Sequence, residues 1–446
     1  MPAMGRAWGT GRGRAGCSLE PTENVACTSI HRMDNLTHTL AGVLIGETVS
    51  RIAPQAPSGL APRQRRGLLV VLSAVCSNLP DADVAYTMAA GTRLAYLSQH
   101  RGYTHTIVGV AVAAALVILA VELFMRWRRL QPSRSDRQAI VAAVVISLLL
   151  HLALDFTNSY GVHPFWPVRN HWIYGDAVFI IEPLLWTCAA PLLFLLRTLL
   201  ARLLLAVVLA AALGLSFGTQ WIIPASGVAL AALMAALLYA GWKAPPRVAL
   251  ACAVGAWLAV TAAFFFGSDS AARRVAHEVA QRYPGARLLD HVLTPMPSNP
   301  LCWNVIAITM EADRYVMRRA ALATSPELLA VQDCPDRTLD AQTSAPMRRL
   351  AQPPSAAVRW IDEYQVSRAE FPRVLKAYCE AAILMRFARA PWIAGSNGRW
   401  AMGDLRYDRE PELGFAEMEL TPRPAGCTSA APPWLEPRPE VIAPVP

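Results

Sequence analysis

The sequence predicts a mainly α protein, a multi-pass transmembrane helical bundle followed by a small soluble α+β domain. Three observations lead there. Hydrophobic residues make up 54% of the 446-residue chain and charged residues only 16%, well under the ~25% charged content usual in soluble domains. Several apolar runs reach the roughly 20 residues that a bilayer-crossing helix needs. Those runs stop near Phe266, and residues 268–446 turn instead to Arg, Pro and alternating apolar patterns.

The elements follow in order. Residues 1–32 carry no helical or strand period and no apolar stretch of a signal peptide. They are expected to be a disordered extension or a mis-assigned start, with Met33 opening the pattern. The bundle occupies 33–267. Segments 36–52 and 67–80 are short or polar, and read as partial spans or as helices lining the bundle interior. Clear spans are 106–125, 138–156, 177–196, 203–218, 222–241 and 248–267.

Residues 268–430 are long enough to bury a core of their own. There, 269–282 reads as a short amphipathic helix and NVIAITMEADRYVMRRA (304–320) as a pair of strands. EAAILMRFARAPW, RWAMGDLRYD and LGFAEMELTP are further strand candidates, with SNG and REPE as turns. Its cysteines, Cys302, Cys334, Cys379 and Cys427, can form two disulfides in an oxidising periplasm or remain four free thiols, and the pairing is open. The Pro-rich stretch 431–446 is expected to be a disordered tail.

A net charge of +9 raises nucleic acid as a partner. However, the basic residues cluster beside apolar runs, in RQRR (63–66), RWRR (126–129) and WKAPPR (242–247). That is the pattern of cytoplasmic loops, so the expected partner is the lipid bilayer and not nucleic acid. Placing RWRRLQPSRSDRQ (126–138) in the cytoplasm orients every helix, and delivers the C-terminal domain to the periplasm. His38, Asp81, Asp83, His100, His105, His151, Asp155, Asp176 and Glu182 then all fall at the outer end of the bundle. The charge rule used only arginines and a lysine, so this convergence is independent of it. Ionisable groups at membrane depth are costly and mark function.

The chemistry of the set is that of a metal site. Imidazoles with carboxylates suit zinc, or manganese or iron. His151 and Asp155 in HLALD stand four apart and project from one helix face. His100 and His105 flank the Gly102 turn of HRGYTH, and Pro80 closes a helix just before Asp81 and Asp83. Several ions together would suit phosphoester hydrolysis. Asp83 and Asp155 are the candidates for a base or bridging role. Arg101 and Arg169 could hold an anionic substrate group, and Asp176 is a further substrate-side candidate or a helix-dipole partner. His163 and His171 read as loop packing or substrate-facing. Each histidine alone is more often a core residue; the common location carries the argument.

MDNLTHTLAG, SNLPDAD, HRGYTH and HLALDFTNSYG, followed by PFWPVRNHWIYGDAVFIIEP, resemble the LexA-binding, inner-membrane-associated, metal-dependent hydrolases of the YdjM-like family. The resemblance covers about residues 33–190, with the motifs in the family's order and spacing. It implies a multi-pass bacterial inner-membrane protein with metal-dependent, phospholipase-like hydrolase activity. The family's motif residues fall on His38, Asp81, Asp83, His100, His105, His151 and Asp155. HLALD is also similar to the HxxxD of zinc-dependent phospholipases C, whose second His-x-x-x-Glu pair is not evident here. DHVLTPMPSNPLCWNV (290–305) resembles the C-terminal extension of longer members. The competing expectations are a proton-coupled carrier and a scaffold whose metal only staples helix ends. A carrier is disfavoured, since the helices show little buried charge and no internal repeat.

Overall fold

A computed structural model describes residues 21–89, 92–335, 346–351, 353–396, 398–407, 414–422 and 432–442. The first helix, α1 (Pro21–Ile52), begins well before the expected residue 36. It lies against α2 (Pro62–Cys76) at close quarters. A Cβ on Gly42 would meet the Ser73 carbonyl at 2.6 Å, and one on Gly46 the Val70 Cα at 2.5 Å. Two small residues one turn apart let the backbones touch, as in other membrane helix pairs.

Pro80 then interrupts the expected 67–80 helix. A 3-10 turn, Leu79–Ala82, leads into α3 (Asp83–Ala89), and the chain bends by 55° across the break. α4 (Arg93–Gln99) and a second 3-10 turn, Tyr103–His105, follow. α5 (Ile107–Trp127) and α6 (Arg134–Phe156) form a hairpin, with α6 opened by a Ser133–Asp136 capping box. The two differ in surroundings: 50% of the most apolar window of α6 is buried but only 11% of that of α5, which therefore presents itself to lipid.

The expected span 177–196 is not one helix. Residues 177–182 are irregular, then come α7 (Pro183–Cys188) and α8 (Leu192–Leu195). Pro183 and Pro191 lack the N–H that a continuing helix needs, and the segment is buried inside the bundle instead of facing lipid. It packs among α9 (Leu199–Gly218), α10 (Pro224–Lys243) and α11 (Pro246–Arg282). Among the described residues, five helices are long and apolar enough to cross a membrane, or six if the bent pair counts as one span.

α11 runs 37 residues without a break through Phe266, so the expected membrane helix and the short amphipathic helix are one element. The same buried stripe meets a new partner toward its C-terminal end: Ala271, Val275 and Val279 pack on Trp303 and Leu293 of the C-terminal sheet. That sheet is antiparallel, built from β1 (Arg287–Met296), β2 (Asn299–Glu311), β3 (Arg314–Ala323), β4 (Arg348–Arg349) and β5 (Val358–Ser367), in the order β1-β2-β3-β5-β4. The hairpin read from residues 304–320 is β2 and β3, in register from Glu311–Arg314 to Cys302–Ala323. α12 (Glu370–Ala377) and α13 (Cys379–Leu384) precede a three-stranded sheet of β6 (Pro391–Ser396), β7 (Arg399–Asp404) and β8 (Glu417–Leu420). EAAILMRFARAPW, expected as a strand, is thus α13 plus the start of β6. Its Ala-Ala-Ile-Leu run packs helically, with Ala381 and Leu384 in the core. REPE and Asn397 lie outside the described residues.

Cys302 and Cys334 are joined by a disulfide across 32 positions, and Cys379 is also disulfide-bonded. The two halves share a core, in which Tyr96, Leu97, Tyr160 and Trp172 pack with Tyr315, Phe387 and Trp434. The tail is ordered where it is described. Trp434 is fully buried and donates its indole N–H to the Ser98 carbonyl at 2.8 Å. One large aromatic side chain outweighs the polar, Pro-rich sequence around it, because fully burying it is worth several kcal/mol.

Candidate metal centre

Five short segments meet at one end of the bundle. α1 brings His38, the 3-10 turn after α2 brings Asp81, and α3 opens with Asp83. The HRGYTH turn brings His100, Arg101 and His105, and the last two turns of α6 bring His151 and Asp155. Of these side chains only Asp81 retains solvent contact, at 13%; the rest are at 4% or less.

The innermost group is Asp81, His105, His151 and Asp155, each offering one ligand atom within 4.8 Å of all the others. His105 Nε2 lies 3.1 Å from His151 Nε2, 3.2 Å from Asp81 Oδ1 and 3.1 Å from Asp155 Oδ2. His151 Nε2 lies 3.5 Å from Asp81 Oδ1 and 3.3 Å from Asp155 Oδ2. Ligands at ~2.0–2.1 Å around a tetrahedral ion stand about 3.3 Å from one another. These separations fit that figure, and the two-imidazole, two-carboxylate set fits a divalent ion. Asp81, Asp83 and His100 form a second group of the same tightness.

A surrounding layer orients the ligands. His151 Nδ1 donates to the Ser77 carbonyl at 2.7 Å, which leaves Nε2 bare toward the centre. His105 Nδ1 lies 3.0 Å from the Thr104 hydroxyl and 3.3 Å from Asp83. Asp83 holds the HRGYTH turn: Oδ1 lies 2.9 Å from His100 Nδ1, while Oδ2 accepts the Arg101 backbone N–H at 2.9 Å and the Thr104 hydroxyl at 3.2 Å. With both oxygens engaged it has the geometry of an orienting group, at a residue for which a base or bridging role was expected. Asp155 is equally occupied, with Oδ1 on Arg101 (2.8 Å) and His38 (3.3 Å) and Oδ2 on the two histidines. His38 also stacks on His151, ring centroids 4.1 Å apart.

The turn itself is strained into place. Arg101 has φ of 57°, a left-handed conformation uncommon for a side-chain-bearing residue. It sends the guanidinium inward, to Asp155, the Asn158 side chain and the Tyr160 ring. A Cβ on Gly102 would meet the Gln99 carbonyl at 2.5 Å, so that position needs glycine.

Three expected substrate contacts turn out otherwise. Arg101 is committed to Asp155 and is no open anion hook. Arg169 is exposed on the connecting loop, outside the cluster. Asp176 is paired bidentately with Arg389 of the C-terminal domain, at 2.7 and 2.9 Å, so its carboxylate pins the two halves together. Glu182 has a similar place, accepting the Ser298 backbone N–H at 3.1 Å. His163 packs between Trp434 and Trp172, centroids at 4.0 and 4.6 Å. Burial holds its imidazole down to about 3, with the nearby His105 adding to the effect. The residues that sequence reasoning missed are the orienting ones, Ser77, Thr104 and Asn158. All three lay inside motifs that drew attention, SNLPDAD, HRGYTH and HLALDFTNSYG, but were passed over beside the histidines and aspartates.

At the opposite end, the RQRR arginines meet buried acids. Arg65 pairs with Asp136 at 2.9 Å and Arg66 with Glu47 at 2.5 Å. Glu47 was overlooked, since a lone acid in a short helix carries no pattern.

With this geometry in hand, comparison with known proteins bears on the helical half. Residues 33–223 match the YdjM inner membrane protein family. The match takes in every segment that builds the cluster. It fits a multi-pass inner-membrane protein, and just under half of the chain lies within it. YfhP of Bacillus subtilis (strain 168), an uncharacterized protein, is 22% identical over 151 residues, which is 34% of this chain and 42% of YfhP. The chain thus spans under half of that relative's length. No solved structure matches.

Proposed function

We propose that this protein belongs to the YdjM inner membrane protein family and is a metal-dependent hydrolase of the bacterial inner membrane, acting at the periplasmic face on a lipid or other membrane-proximal phosphoester. The observation that carries the reading is the spacing of Asp81, His105, His151 and Asp155, whose ligand atoms all lie within 4.8 Å of one another, with five of the six separations at 3.1–3.5 Å. Zinc suits this donor set best, with manganese or iron as alternatives. A disulfide-bonded C-terminal domain supports a periplasmic location, since disulfides persist in oxidising compartments.

His105, His151 and Asp155 would hold the ion, with Asp83, His100, Arg101 and His38 orienting them, and Asp81 on the fourth side of the group would stand beside a coordinated water. A divalent ion there would lower the pKa of a coordinated water and stabilise charge developing on the phosphoryl oxygens. The remaining work falls to the chain. Burial of the cluster excludes bulk water, Asp83 keeps His105 aimed at the centre, and Arg101 offsets the charge of Asp155. We assign proton transfer from the attacking water to Asp81, the carboxylate of the set with solvent contact.

Metal analysis of detergent-purified protein tests the reading. Wild type should carry about one equivalent or more of a transition metal, and a His105→Ala, His151→Ala double variant only background. Equal metal in both would sink the proposal. The near-complete burial of the cluster favours one second reading, a metal that staples helix ends without catalysis. Phosphate release from phospholipid vesicles, with and without a chelator, separates the two.

A further inference from the structure

Resting on that hydrolase reading, we infer that the cluster is reached from the bilayer, past Asp81, and that its substrate is a phosphoester carried on a lipid rather than a water-soluble one. The aqueous side is covered. Tyr96 stacks on His100 at 4.9 Å, with Phe415 of the C-terminal domain edge-on to Tyr96. Tyr160, beneath Arg101, packs on Phe387. Trp434 closes over Gly102 and lies 5.0 Å from the Tyr103 ring. The β-domain and its tail thus lie over the HRGYTH side of the cluster.

The remaining opening is at the break between α2 and α3, where Asp81 keeps its 13% exposure. Its neighbourhood is apolar and outward-facing. Val75 at the end of α2, Ala82 beside Asp81, Tyr86 one turn on, Tyr103 and Ile107 are all exposed. Ile107 begins α5, which has the smallest buried share of the five candidate spans among the described residues. Two exposed tyrosines next to lipid-facing aliphatic residues are the composition of a membrane–water interface, where an amphipathic ring sits at headgroup level. A soluble phosphoester would have to cross that apolar rim. A lipid can keep its chains in the bilayer and present only its headgroup to Asp81. Hydrolysis would then break the phosphoester bond with water as the nucleophile, releasing the cleaved headgroup to the aqueous phase and leaving the lipid portion in the membrane.

The test uses the full chain with Cys17, Cys27 and Cys252 changed to serine, reconstituted in vesicles of phosphatidylethanolamine and phosphatidylglycerol. Asp81→Cys should react with pyrenyl maleimide, which partitions into the bilayer, about tenfold or more faster than with a sulfonated, water-soluble maleimide. Ala82→Cys, outside the cluster, reads the same opening should Asp81→Cys not fold. Ala82→Trp added to Asp81→Cys should slow the apolar reagent, and Trp434→Ala should leave the charged reagent slow. Equal or faster labelling by the charged reagent, its acceleration in Trp434→Ala, or no labelling by either reagent overturns the inference. None of these readouts needs bound metal. Lipid-selective labelling of the variants together with a wild type that carries no metal would leave the route standing and remove the hydrolase reading; a metal-loaded, active wild type whose variants are labelled from water would do the reverse.

Discussion

Arg101 and Asp155 form an ion pair of 2.8 Å in which neither side chain is more than 2% exposed. The arginine comes from a turn and the aspartate from the last turn of α6, so the pair ties the HRGYTH segment to the helix that supplies two ligands. A buried pair of this kind stands or falls as a unit, since removing one partner leaves the other charged and desolvated.

Arg101→Ala is therefore expected to cost the metal-free protein about 3–5 kcal/mol. A bound cation would take over the compensation of Asp155. Thermal unfolding in detergent, with chelator and with added zinc, should show a wider gap between the two curves than in wild type. An unchanged gap would contradict the role given to Arg101.

Asp83 acts on the centre through His105, and its loss should be graded where loss of a ligand is complete. Asp83→Asn is expected to lower metal affinity about 10–100-fold. A competition titration against a chromogenic chelator measures this, with His151→Ala as the reference for a missing ligand. An affinity as poor as that of His151→Ala would make Asp83 a ligand itself.

His163 sets a pH dependence. Burial between Trp172 and Trp434 lowers its pKa from 6.5 to about 3. The folded state therefore keeps the ring neutral while the unfolded chain takes up a proton below pH 6.5. Its contribution is complete above that pH and is lost as pH falls toward 3, about 2 kcal/mol of it by pH 5. His163→Phe should flatten the stability curve between pH 6.5 and 4, as read by unfolding in a pH series. An acid branch as steep as in wild type would show that other groups govern it.

Trp434 anchors the tail. Trp434→Ala removes a fully buried indole, and is expected to cost about 3–5 kcal/mol. Hydrogen exchange should rise across residues 432–442 while metal content stays at the wild-type level. A fall in metal content would mean that the tail supports the ligands directly.

Much of the site was legible because its motifs are local. HLALD places His151 and Asp155 on one face by helical period alone, and both are innermost ligands of the candidate centre. Pro80 announced the break that turns Asp81 inward. What the sequence concealed were long-range partners. Asp176 looked like a substrate contact until Arg389, 213 positions on, was found on its carboxylate. Nothing in the local pattern of either residue reports the other. The 177–196 segment misled for a related reason: hydropathy cannot tell a helix facing lipid from apolar chain buried among other helices.

By itself the sequence determined the membrane character, the strand pair at 304–320 and the gathering of histidines and aspartates at one end of the bundle. These depend on composition, on period and on charge at helix ends, all of which act over a few residues. Only the tertiary structure decided which of those groups face one another at ligand distance, and which serve as props. It also decided that α11 runs unbroken into the C-terminal domain, that the tail is seated by Trp434, and that Asp81 is the member of the cluster with the most solvent contact. Each of these is a matter of which surfaces meet across long sequence separations. HRGYTH joins the two levels: its histidines were visible at once, but the left-handed Arg101 that folds the turn onto Asp155 belongs to packing alone.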